Sequence, residues 1–292
     1  MGTTKKSKNQ KIIKKQVNKA IKRIPLGIVI CILIVGCIAG YLYYKKINDN
    51  KDSTNENNIK GNVAYLVQEG TTVDDVKITF LELFGTNGNP QIGDSVFIEC
   101  GDIDILIDAG EKASGSNTVV PFIEEHVSDN ILELVIVTHA DSDHLGGMVG
   151  LSNSYGALEV PGITYQYIVD FGYEGQTQLY KDYLEVRNKK IKEGTKYFSI
   201  GSIFDSDHLE AITRFYLGVD TYLDLLDYKT YEISEITDDN DRSVSCLLTH
   251  NDKKVLLCGD AEKKEEAYLT SLNIGHVDVF KACLLYTSDA AD

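Results

Sequence analysis

The sequence contains no CxxC pair, and its six cysteines are scattered. This excludes a zinc ribbon and gives no disulfide framework. Cys31 and Cys37 sit in an apolar run, while Cys100, Cys246, Cys258 and Cys283 are isolated from one another. Cys246 and Cys258 flank the stretch His250-Asn251-Asp252. In a hairpin with a two-residue loop at Asn251-Asp252, Cys246 faces Leu257 and Cys258 turns to the other side. Free buried thiols are therefore expected. No internal period of the solenoid kind is present. Acidic residues are missing from 1–24, which hold nine Lys/Arg, and charge of either sign is missing from 25–44. Basic residues are scarce further on: after Lys45 and Lys46, residues 47–292 carry 18 basic against 44 acidic side chains, a net charge of −26. Such a body repels a polyanion unless a local basic patch or a metal offsets the field. The contrast with the basic head indicates that the two ends meet different surroundings.

The uncharged run PLGIVICILIVGCIAGYLYY, 25–44, spans about 30 Å as a helix, the thickness of a bilayer's hydrocarbon core. Tyr41, Tyr43, Tyr44, Lys45 and Lys46 suit one interface and Arg23 the other. The excess of Lys/Arg before the span predicts a single-pass cell-membrane protein, with residues 1–24 as a cytoplasmic tail and everything after the span outside. The competing reading is a cleaved lipoprotein signal, because IVGC at 34–37 resembles its cleavage box. The apolar run continues seven residues past Cys37, which favours an uncleaved anchor whose partner is the lipid bilayer. Residues 45–75 read as a polar linker, with 47–62 rich in Asn, Asp and Lys. A folded body is expected over 76–282. Its strand-like runs are VKITFLELF, DSVFIEC and DIDILIDAG, then LELVIVTHA, KYFSI, TYLDLLD, SVSCLLTH, KKVLLCGDA and HVDVF. Helical patterns over TVVPFIEEHVSDNI, QTQLYKDYLEVRNKKIKEG and EKKEEAYLTSL alternate with them. The order indicates a layered α/β domain.

The segment THADSDHLGG, 138–147, begins where the buried strand LELVIVT ends, and α/β folds place reactive groups at such strand ends. His139, Asp141, Asp143 and His144 alternate along what reads as an extended loop, so two imidazoles and two carboxylates can converge as metal ligands. Gly146 and Gly147 are expected to let the backbone turn tightly into the next helix. The bland alternative is a capped helix start, with Asp141 or Ser142 as N-cap.

This segment resembles the H-x-H-x-D-H signature of the metallo-β-lactamase superfamily. The aspartate at 141 is similar to the branch containing the ComEC-type competence proteins. ILIDAG at 105–110, NDRSVSCLL at 240–248 and VLLCGDAE at 255–262 resemble further pieces of that superfamily in order and spacing. The resemblance implies an αββα sandwich over about 76–282, with Asp108 supporting the metal loop. It implies two divalent metal ions, zinc or manganese. His139 and Asp141 would hold one ion, Asp143 and His144 the other, and Asp260 would bridge them. Asp143 would also orient the nucleophile and is the candidate catalytic residue. Asp241 would either close the first site or cap a turn. His250 reads as a surface residue, and His126 and His276 as solvated or packed.

The pentapeptide DSDHL recurs at 205–209. There Ile203 stands in the place of His139 and Glu210-Ala211 in the place of the glycine pair. Asp207 and Glu210 fit an N-cap and capping partner opening a helix HLEAITRFYL, 208–217. The last ten residues, CLLYTSDAAD at 283–292, match codon for codon the translation of a common sequencing-library transposon adapter. Superfamily members continue at this point into a histidine-pair segment that completes the second metal site. A sandwich incomplete at its C-terminus, cut at about Ala282, is therefore expected.

The functional expectation is a membrane-anchored extracytoplasmic binuclear-metal hydrolase of phosphodiester bonds. Two alternatives stand beside it. One is hydrolysis of a small ester, lactone or lactam; the other is a non-catalytic binding ectodomain that keeps the fold. Nucleic acid is disfavoured as substrate by the acidic body, and a small molecule or phosphodiester is favoured. The topology is open to direct test. Protease added to intact cells should remove the body beyond residue 47, and a body that stays protected would reverse the assignment.

Overall fold

The structure, a computed structural model, describes residues 62–173, 175–200, 212–226 and 239–281. The expected cytoplasmic tail, the apolar span 25–44, the second DSDHL and the segment 283–292 all lie outside these residues. Among the described residues, no helix is long and apolar enough to cross a membrane.

Two six-stranded sheets face each other. The first has the order β2-β3-β4-β5-β6-β7: β2 Lys77–Phe80, β3 Val96–Cys100, β4 Ile103–Ile107, β5 Ile131–Val137, β6 Thr164–Asp170 and β7 Lys196–Ser199. β2, β3 and β4 are antiparallel neighbours, and β4 through β7 run parallel. β5 lies at the centre of the parallel part, and Leu132 through Val137 are all buried. A strand covered on both faces is mostly apolar, as LELVIVT is; its one acid, Glu133, is buried and accepts from the Asp104 amide at 2.9 Å. The second sheet has the order β1-β8-β9-β10-β11-β12: β1 Asn62–Tyr65, β8 Ile212–Gly218, β9 Thr221–Leu225, β10 Cys246–His250, β11 Lys253–Leu257 and β12 Val279–Lys281.

Side chains from both sheets form one core, in which Phe97, Ile105, Leu134 and Ile136 of the first join Phe215, Leu223, Leu225 and Leu248 of the second. The ring of Phe215 meets Tyr167 edge-on and stacks on Phe198 across the interface. Helices α1 Val120–His126, α2 Ser142–Leu145 and α3 Gln178–Lys192 follow β4, β5 and β6. Ile123 and Tyr183 bring α1 and α3 into the main core. On the far side of the second sheet, Leu269 of α4, Lys263–Ser271, closes a smaller cluster with Leu247, Leu256 and Cys258. The layering is helix, sheet, sheet, helix, as anticipated.

The hairpin at Asn251-Asp252 has the expected register: Cys246 pairs with Leu257, and Cys246 and Cys258 enter different clusters. Cys100, Cys246 and Cys258 are buried and in no disulfide.

Three features depart from the sequence reading. Residues 212–217, assigned to a helix, are strand β8; Thr213, Phe215 and Leu217 are buried while Ile212, Arg214 and Tyr216 are less so. That alternation is the two-residue period of a sheet flanked on one side by β1 and on the other by β9. Residues 62–65, assigned to the linker, form β1 and pair in parallel with β8. The folded body thus includes Asn62–Tyr65, ahead of the expected boundary at 76. The glycine pair does not turn the chain into a following helix: it comes after the helix Ser142–Leu145, in a 3-10 turn Gly146–Met148, and neither glycine has a positive φ. Gly147 permits close approach instead: a Cβ there would stand 1.9 Å from the Ala109 carbonyl oxygen and 2.8 Å from Gly115 Cα. Its amide donates to the Gly110 carbonyl at 2.6 Å. Gly147→Ala must therefore push apart two backbones at the end of β4. Denaturant unfolding should show a loss of about 1–3 kcal/mol, the usual cost of overpacking.

Candidate metal centre

The site forms where β4, β5, β11 and β12 end together. Asp108 follows β4 with φ of 58°, a left-handed conformation that is costly for a residue other than glycine. Three hydrogen bonds fix its carboxylate, which is 1% exposed. Oδ1 accepts from the Thr138 amide at 2.8 Å. Oδ2 accepts from Thr138 Oγ1 at 2.6 Å and from His144 Nδ1 at 2.8 Å. Because Thr138 Oγ1 gives its one proton to Asp108, it must accept from His139 Nδ1, 2.9 Å away. Asp108 thereby places a proton on Nδ1 of both imidazoles, directly in one case and through a hydroxyl in the other. With each imidazole neutral, its Nε2 then carries the lone pair that faces the centre.

Those lone pairs converge. Donor atoms of His139, His144 and Asp260 lie within 4.8 Å of one another, and all three residues are buried. His144 Nε2 stands 3.4 Å from Asp260 Oδ2, and the two rings are 4.2 Å apart between centroids. His139 Nε2 is buried and has no hydrogen-bond partner. A buried polar atom without a partner costs about 1–3 kcal/mol, and a divalent ion is the group that would satisfy it. The donors therefore fit a metal ion. Nitrogen with carboxylate oxygen suits zinc, and manganese is compatible.

Asp260 reaches the centre from the second sheet because Gly259 turns the chain with φ of +55°; a Cβ there would meet Thr138 Cβ at 2.8 Å. The Val244 amide donates to the Thr138 carbonyl at 2.9 Å, tying the two sheets beside the site. Burial opposes charge on His144, but its hydrogen bonds to Asp108 and Asp260 outweigh burial and push its pKa up to about 10. Burial, reinforced by His144, pushes His139 down to about 3. Asp260 lies well below the carboxylate range: burial would raise it, but the hydrogen bond and charge of His144 and the charge of Lys281 prevail. An incoming ion must displace the Nε2 proton of His144.

Of the five metal-ligand residues read from the sequence, the structure brings His139, His144 and Asp260 together. Asp141 stands beside them, its Oδ2 3.8 Å from His139 Nε2, with half its side chain exposed. It occupies the N-cap position of α2 without a side-chain capping bond. Asp143 is not in the converging set; its carbonyl accepts from the Asp94 amide at 3.1 Å. The expected alternation applies only from His139 to Asp141, because Ser142–Leu145 is helical and neighbouring residues there do not share a face. The split of five ligands between two ions is thus not the grouping seen here.

Asp241 caps α4, its Oδ1 accepting from the amides of Lys264 and Glu265. His250 lies at the hairpin end, where its Nδ1 stands 2.8 Å from Thr221 Oγ1. His126 stacks on Phe122 and pairs with Glu99, and His276 is exposed.

Two residues of the centre had no signal in the sequence reading. Asp94 Oδ2 is 4.0 Å from His144 Nε2 and forms an ion pair with Lys281 Nζ. Lys281 also reaches Asp260 Oδ1 at 3.3 Å and the Gly259 carbonyl at 2.9 Å. The dipeptide Gly-Asp occurs at 93–94, 101–102 and 259–260. It points to two site carboxylates, but equally to Gly101-Asp102, the β3–β4 hairpin turn.

Residues 88–218 match the profile of the metallo-beta-lactamase superfamily. No curated protein matches the sequence. Among solved structures, the chain is similar to the metallo-beta-lactamase fold protein YhfI from Bacillus subtilis, at 16% identity over 71% of each chain with a TM-score of 0.41. It is also similar to the short form of human tRNase Z, at 13% identity over 70% of this chain and 76% of that one, TM-score 0.34. A quorum-quenching N-acyl homoserine lactone lactonase aligns at 11% identity over 74% of this chain and 93% of that one, TM-score 0.39.

The role of Asp108 can be separated from ligation. Asp108→Asn removes no metal ligand but releases the tautomer of both histidines. Zinc affinity, measured by chelator competition, should fall about 10–100-fold.

Proposed function

We propose, on the premise that this chain carries a metallo-beta-lactamase superfamily domain, that it is a metal-dependent hydrolase of a small phosphodiester. We place it on the outer side of a membrane, anchored through residues 25–44. One observation carries the hydrolase reading: a single buried carboxylate turns the Nε2 atoms of His139 and His144 to the same point as Asp260, and that of His139 has no partner there. A structural role would leave no reason for a buried imidazole nitrogen without a partner.

Bound at that point, a divalent ion supplies Lewis acidity toward a phosphoryl or acyl oxygen and lowers the pKa of a water. His139, His144 and Asp260 would hold it, and Asp108 would keep both imidazoles in the ligating tautomer. Asp141, on the exposed side of His139, lies at the substrate approach. Asp143 is the loop's remaining acid, and we assign it the orientation of the attacking nucleophile. The phosphodiester rests on the likeness of H-x-D-x-D-H to the competence-protein branch. The net charge of −26 over residues 47–292 supports a small substrate over a nucleic acid polymer. Hydrolysis of a small ester, lactone or lactam is the second reading, supported by the same charge.

Metal content together with turnover of bis-p-nitrophenyl phosphate and nitrocefin tests both. Retained zinc or manganese with phosphodiester turnover is expected, and His144→Ala should abolish both metal and turnover. Asp143→Ala should lower turnover more than metal content. Turnover of nitrocefin alone moves the assignment to the second reading, and metal-free protein without either activity overturns both.

A further inference from the structure

Lys281 is the last residue of β12, and its side chain is 10% exposed. Three acceptors surround its ammonium: the Asp94 carboxylate, Asp260 Oδ1 and the Gly259 carbonyl. No solvated surface lysine gathers three acceptors at the edge of a histidine pair. Asp260 divides its two oxygens accordingly, with Oδ2 toward His144 and Oδ1 toward Lys281.

From this division we infer that Lys281 is a resident cation of the centre. Asp260 bridges two positive groups, one a divalent ion held with His139 and His144, the other the Lys281 ammonium paired with Asp94. The centre then takes one divalent ion per chain instead of two. The inference rests on the metal-centre reading above and deepens it.

Charge supports the same count. The least exposed charged side chains of the centre, besides the imidazoles, are Asp94, Asp108, Asp260 and Lys281, at 16%, 1%, 9% and 10%. With both imidazoles neutral, as ligation requires, their sum is −2, which one divalent ion cancels. A second ion would leave the buried groups net positive beside an ammonium, and burying uncompensated charge is costly. At the separation typical of a lysine ion pair, a second dication and the ammonium repel each other even where the effective dielectric is well above that of a dry interior.

Asp94 is positioned for this pairing by its own backbone. Its amide donates to Asp143 O at 3.1 Å, and its carbonyl accepts from the Gly110 amide at 2.9 Å. The residue is thus laced both to the loop that bears the histidines and to the end of β4. An acid fixed in this way at the mouth of a metal centre needs a permanent counter-charge, and Lys281 is the cation that reaches it.

The test is a count of ions. The full chain in detergent is stripped with chelator and titrated with manganese, and bound ion is read by electron paramagnetic resonance. Wild type should bind one ion with the signal of an isolated centre. Lys281→Met frees Asp94 and Asp260 Oδ1 and should bind two ions with a spin-coupled signal. Lys281→Arg keeps the charge and should stay at one. Lys281→Gln, which retains a polar end for Asp94, serves if the methionine variant does not fold, and it too should bind two. Two ions on wild type, or one ion on a folded Lys281→Met or Lys281→Gln, overturns the inference while leaving the metal centre intact. No ion on wild type overturns the metal centre itself.

Discussion

The carboxylate of Asp108 is the constraint on which the rest of the centre depends. It is buried, it sits on a strained backbone, and every hydrogen bond it accepts comes from the strand-end segment that carries the histidines. An ionised carboxylate in such a place survives only if its oxygens are fully engaged. Here they hold a backbone amide, a hydroxyl and an imidazole. The same bonds that stabilise the charge also decide which nitrogen of each histidine is free. Fold stability and ligand chemistry are set by one group, so neither can vary without the other.

Around that carboxylate the two sheets contribute unequal parts. The first supplies Asp94, Asp108, His139 and His144 from the ends of its central strands and the loop before β3. The second supplies Asp260 and Lys281, together with the Val244 amide that fastens Thr138. The first sheet thus brings nitrogen ligands and their proton control. The second brings the negative bridge and the balancing ammonium.

Much of this was legible in the sequence where the chain has little choice. A run such as LELVIVT, apolar but for Glu133, reads as a buried strand, and the polar group that follows it sits at a strand end. Asn251-Asp252 fixes a two-residue hairpin and with it the faces of Cys246 and Cys258. Gly259-Asp260 reads correctly because the backbone before Asp260 needs both a positive φ and an empty Cβ position. Other features depend on partners distant in sequence. The segment after Asp207 looks like a capped helix, but from Ile212 onward pairing with β1 and β9 overrides local preference. Asn62–Tyr65 is four residues in a polar stretch, and only β8 makes it a strand. β6 escaped notice because its tyrosines, glutamine and threonine blur the apolar pattern. Asp143 lies outside the converging trio because Ser142–Leu145 is helical, and an alternation read along an extended loop does not extend into a helix. Lys281 is one lysine at the end of one strand, and nothing near it in the sequence announces its acceptors.

The junction of the two sheets at the centre also has a consequence for how the protein assembles. β2 through β7 precede β8 through β12 in the chain, apart from the short β1. A nascent chain can therefore form the histidine pair before the bridging acid exists. Until β11 and β12 dock, that pair would offer an ion two nitrogens only, and Asp260 completes the donor set last. On the reading proposed above, metal retention would be a property of the finished sandwich, and a chain arrested halfway through folding would carry the histidines without their acid.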